Sequence, residues 1–177
     1  SRSRLPCPLG IWMPLVALAV ILPAASAHGH GDKPTVPEAT ASVIEDYLRA
    51  AARPGQEAAA AEIGVRLLED HPADALVLDS LAWAILTDET VLVPDLPLAL
   101  AAAQQAHALT GDTDAEVLET LARALLMNGR RDDGLATHRQ AIAVAAADPS
   151  TRLVLQEILA EYLDPPPSPG LSDQQQI

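Results

Sequence analysis

The strongest constraint on this chain is an apolar pattern that returns along it. Between Asp114 and Pro149, Leu118, Leu121, Ala122 and Leu125 recur at three- and four-residue steps, and a second set, Leu135, Ala141 and Ile142, begins after Asn128-Gly129. Steps of that size align on one side of an α-helix, so the stretch predicts two amphipathic helices joined by a tight turn. Asp114 and Asp132 stand where each can cap a helix start by accepting a backbone N–H, and Gly129 can take the left-handed conformation that ends the first helix.

The pattern is repeated upstream. Leu78, Leu81, Ala82 and Ile85 precede Leu118, Leu121, Ala122 and Leu125 by 40 residues, and Leu100 and Ala106 precede Leu135 and Ala141 by 35. A third copy runs from Ala41 to Pro72, with Ile44, Tyr47 and Leu48 on its first helix, Gly55 at the turn, Ala60 and Leu67 on its second, and His71-Pro72 as the stop; Ile44 precedes Leu78 by 34. On these residues, over positions 41 to 150, the chain resembles the tetratricopeptide repeat, a helix-turn-helix unit of about 34 residues with a large-small-large apolar signature. Leu and Ile stand at most of its aromatic positions, and Gly134 stands where the second helix of that unit carries Ala. The resemblance implies an all-α, right-handed stack of about three antiparallel helix hairpins closed by a C-terminal capping helix. An Ala-rich helical bundle is the competing arrangement, because periodicity alone establishes packed helices and no more. A unit this short cannot bury its apolar side alone, which is the argument for stacking.

Abundant Ala and Leu and the absence of Phe suit helices. The net charge of −13 sets nucleic acid and peripheral membrane binding aside, since phosphate backbones and anionic headgroups are repelled. Cys7 is the only cysteine and precedes an apolar run, which excludes disulfides, cysteine nucleophiles and Cys-ligated zinc from the remainder of the chain.

Four segments are expected. Residues 1–27 read as a secretory signal peptide, with Arg2 and Arg4 at the positive end, an uncharged run from Leu9 to Leu22 and a small-x-small site at Ala25-Ser26-Ala27. That run is short of the roughly 20 residues of a spanning helix; an uncleaved membrane anchor is the alternative. Residues 28–37 read as a flexible linker, 38–163 as the helical-repeat domain, and 164–177 as a disordered Pro- and Gln-rich tail. The export signal places the protein in a bacterial periplasm or outside the cell. Cleavage after Ala27 would leave an amine at His28 with His30 in third place, a square-planar arrangement that Cu(II) and Ni(II) favour, so a metal-carrying role is a second functional reading.

Within the domain, helices are expected from about Glu38 to Ala52, Gln56 to Asp70, after Asp74, after Asp95, and from Asp148-Pro149 to Leu163, the last serving as the cap. Thr87 to Pro97 is an inserted loop, either a binding element or a cover for an apolar edge. His71, His107 and His138 fall in different helices, with His138 expected as a partly buried core residue, and no serine elbow, glycine-rich phosphate loop or paired-histidine zinc motif occurs. The expected function is therefore binding without catalysis; a hydrolytic site assembled from distant carboxylates is the alternative enzyme reading.

If the helices stack as in the family, the first helix of each pair lines a concave groove. Its residues would be Glu45, Arg49 and Arg53, then Asp79 and Trp83, then Glu116, Glu119, Arg123 and Met127. Trp83 either anchors an extended peptide beside these charges or packs under the inserted loop. The mixed Arg and acid implies a protein or peptide partner of mixed or basic charge; the Lys and Asn with which some family members clamp a terminal carboxylate are not at these positions.

Overall fold

The computed structural model describes residues 36–164, which form seven α-helices with no strand among the described residues. Residues 1–35, which hold the expected signal peptide, most of the expected linker, His28 and His30, and residues 165–177 of the expected tail lie outside the described residues.

Local chemistry sets the helix ends. α1 (Glu38–Ala51) follows Pro37, carries Glu38 in its first turn and Arg49 in its last, and so matches charge to both ends of the helix dipole. α2 (Glu57–Asp70) stops at His71-Pro72. α3 (Ala75–Thr87) and α4 (Leu96–Thr110) begin on Asp74 and Asp95, whose carboxylates accept from the N–H of Val77 and Leu98. Pro97 sits in the first turn of α4, where its missing N–H costs nothing. A 3₁₀ turn, Gly111–Thr113, leads to Asp114, which caps α5 (Ala115–Met127) by accepting from Glu116 and Val117. α5 ends on Gly129 at φ 77, with the Arg130 N–H donating to Leu125 O and the Gly129 N–H to Leu126 O, the paired bonds of a Schellman turn.

That turn corrects the start of α6. The helix is Arg131–Val144, its N-cap is Arg130 without a side-chain cap bond, and Asp132 lies inside the first turn. The chain leaving Gly129 is already helical two residues later, at Arg131, so Asp132 has no cap to make. Its neighbour Asp133 pairs with Arg130 at 2.7 Å. A second 3₁₀ turn, Ala145–Ala147, precedes α7 (Pro149–Leu163), capped by Asp148.

Each helix packs closely against its successor within α1–α2, α3–α4 and α5–α6. α1 also meets α3, α3 meets α5, α4 meets α5, and α7 lies on α6. The main core runs through α1 to α5 and holds Ile44, Tyr47, Leu81, Ala82, Ile85, Leu121 and Leu125; a smaller core of Leu118, Ala141, Ala145 and Leu155 joins α5, α6 and α7. The repeated set Leu78, Leu81, Ala82, Ile85 and its partner set Leu118, Leu121, Ala122, Leu125 are all buried. On α4, Ala99, Ala102, Ala103 and Ala106 are fully buried at helical spacing, small enough to let helix backbones approach.

Gly134 has a steric reason. A Cβ there would stand 2.6 Å from Leu126 Cγ and 3.0 Å from the Ala122 carbonyl oxygen, so α6 crosses α5 closer than an alanine permits. The inserted loop runs beside the first pair: Val93, Pro94 and Asp95 face Tyr47, Ala51 and Ala60 across a cleft, leaving Leu92 and Val93 exposed.

Candidate functional site

The side chains that come together do so where α3, α5 and α7 meet. Trp83 of α3 is half-buried, and the Arg123 guanidinium of α5 lies 5.1 Å from its ring centroid, inside the range of a cation–π contact. One turn back on α5, Glu119 accepts from Arg123 at 3.1 Å. The Glu119 side chain is 4% exposed and that of Arg123 is 25% exposed, so the pair is largely shielded from water. A carboxylate this deep is tolerated because its cation is one helical turn away.

Tyr162 of α7 completes the cluster. Its ring lies 6.0 Å from the Arg123 guanidinium and meets the His138 ring edge-on at 5.5 Å and 86°. Burial, aided by the Glu119 and Glu161 carboxylates and opposed by Arg123, pushes the Tyr162 phenol up to about 12. His138 is fully buried, deeper than the partial burial expected of it, and its Nε2 stands 2.7 Å from the Leu155 carbonyl. A carbonyl only accepts, so Nε2 carries the hydrogen and donates. Arg131 donates to the Tyr162 carbonyl at 2.7 Å, a second tie from α6 to α7.

Three buried polar atoms of this junction have no hydrogen-bond partner: Arg123 Nε, His138 Nδ1 and Tyr162 Oη. Each such group costs about 1–3 kcal/mol. That is comparable with the roughly 1.5–3 kcal/mol contributed by one buried leucine, and Leu155 is the one buried residue of α7.

The remaining expected residues are placed as follows. Asp79 is buried on α3 and lines an open cleft of about 580 Å³ at the amino-terminal ends of α3, α5 and α7, together with Glu116. Glu116 and Glu119 line a smaller cavity between α5 and α7 with Val154 and Leu155. Met127 is exposed at the end of α5. Glu45 and Arg53 are exposed on and just beyond α1, and Arg49 pairs with Asp46 of its own helix. Trp83, Glu119 and Arg123 thus form one contact set, and the α1 residues lie at the other end of the row.

Tyr162 was not among the groove residues expected from the sequence. A signal for it exists: Asp148 follows Asp114 by 34 residues and caps α7 as Asp114 caps α5. The three histidines do not converge. His71 ends α2, His107 faces Asp112 at 3.5 Å, and His138 is locked to α7. Among the described residues no group of three or more His, Cys, Asp or Glu is placed to hold a metal ion, and no helix is long and apolar enough to cross a membrane.

No protein-family model, curated protein or solved structure matches this chain.

Proposed function

We propose that this chain is an exported helical-repeat adaptor of the tetratricopeptide kind, which holds a segment of another protein on the face made by α1, α3 and α5. Support for the stacking comes from the order of packing, with α1 against α2, α3 against α4 and α5 against α6, and with α1 touching α3 and α3 touching α5. The buried positions that recur at 40 residues between α3 and α5 fit the same arrangement. Export rests on the leader-like residues 1–27.

The observation that carries the binding role is the Trp83–Arg123–Glu119 set. A half-buried tryptophan presents a large amphipathic surface at low entropic cost, and side chains of this kind dominate protein interfaces. With Glu119 buried against Arg123 and Asp79 buried, Glu116 is the carboxylate of α3 and α5 that reaches the surface, and beside Arg123 it favours a partner segment of mixed or basic charge. The module acts by binding, without chemistry of its own.

The test is capture of partners from the native envelope by the wild-type protein and by a Trp83→Ala variant. Capture should fall by about tenfold or more, as for the loss of an interface anchor, with helicity by circular dichroism unchanged. Equal capture by a folded variant removes this face from the account.

A further inference from the structure

We propose that α7 is a latch: it opens independently of the other helices and, when docked, limits access to Arg123. This inference rests on the binding role given to the Arg123 face, and it concerns how that face is regulated.

The attachment of α7 is unlike that of the helices it covers. α5 buries eight of its 13 residues, whereas α7 buries Leu155 alone among 15. Leu153 and Leu163 are exposed, and the connection from Ala146 to Ser150 is exposed throughout. A helix with so little buried apolar surface and a solvent-exposed joint belongs at the low-stability end of a fold. Beside Leu155 and the half-buried Val154, Ile158 and Leu159, polar contacts hold it: His138 to the Leu155 carbonyl, Arg131 to the Tyr162 carbonyl, and the Tyr162 ring against both His138 and Arg123. That network is incomplete, because Arg123 Nε, His138 Nδ1 and Tyr162 Oη gather at this one junction with no partner. Undocking exposes Leu155 and the half-buried Val154, Ile158, Leu159 and Tyr162, but it hydrates all three polar atoms at once, which offsets part of that cost.

The consequence falls on the binding face. Docked, α7 places Tyr162 on the Arg123 guanidinium, whose other neighbours are Trp83 and Glu119. Undocked, it leaves Arg123 reachable beside Trp83, and the smaller core of Leu118, Ala141 and Ala145 loses Leu155.

Two readouts on the full chain test this without any ligand. Segment-resolved amide hydrogen exchange should show α7 exchanging about tenfold or more faster than α5. Phenylglyoxal labelling, resolved by peptide mass, should report Arg123 against the exposed Arg66 as internal reference. Leu155→Ala should speed both α7 exchange and Arg123 labelling by about tenfold or more, leaving α3 and Arg66 unchanged. Tyr162→Phe, which removes one unpartnered hydroxyl and keeps the ring, should slow both by about fivefold or more. If Leu155→Ala does not fold, the slowing by Tyr162→Phe decides. Exchange of α7 only in step with α5 and α6 overturns the latch, as does faster α7 exchange with Arg123 labelling unmoved. Neither result touches the capture experiment with Trp83→Ala, so failure of the latch and failure of the binding role are told apart.

Discussion

At the scale of single residues, burial governs the chemistry more than sequence neighbours do. The Glu119–Arg123 pair resembles an ordinary helix-surface pair in spacing, yet one partner is almost completely shielded. Truncating Arg123 therefore leaves a dry carboxylate, a larger penalty than the few tenths of a kcal/mol of an exposed pair. The two tyrosines of the chain show the same control. Burial, with Asp95 nearby, pushes Tyr47 up to about 12, and burial pushes Tyr162 to a similar value. Because both phenols are raised above their unfolded value of 10.0, the stability they contribute is complete below pH 10 and is lost as pH rises from 10 to about 12. Absorbance at 295 nm should accordingly stay flat through pH 10, where a free phenol is half ionised, and rise near 12. Half the tyrosinate signal appearing at pH 10 in folded protein would contradict both placements.

At the scale of helices, capping and close approach explain most boundaries. Asp74, Asp95, Asp114 and Asp148 are legible as caps in the bare sequence because capping is local, needing only a short polar side chain two or three residues before the N–H it accepts. Asp132 misleads for the same reason: it has the right chemistry, but Gly129 has already turned the chain into α6. Gly134 is legible only as an oddity until α5 and α6 are seen in contact, since the atoms that forbid a side chain come from Leu126 and Ala122. Gly134→Ala should destabilise the protein by up to about 2 kcal/mol. Overpacking of about 1–3 kcal/mol outweighs a helix-propensity gain of up to about 1 kcal/mol. A urea midpoint equal to or above wild type would show that α6 can shift away without loss.

At the scale of the molecule, the recurring positions Leu78, Leu81, Ala82 and Ile85 and their counterparts in α5 make the all-helical core legible from periodicity. The site is legible in part. Trp83 on α3 and Glu119 and Arg123 on α5 do meet, whereas Tyr162 joins them through the packing of α7 on α6, for which the sequence offers only the 34-residue recurrence of Asp114 at Asp148. The central claim is that a partner segment lies along the first helices and not the second ones. The direct measurement is site-specific photocrosslinking with benzoylphenylalanine at Met127, exposed on α5, and at Arg139, exposed on α6, in the native envelope. The account expects adducts from position 127 and none from position 139; adducts from 139 alone, or equal adducts from both, would contradict it.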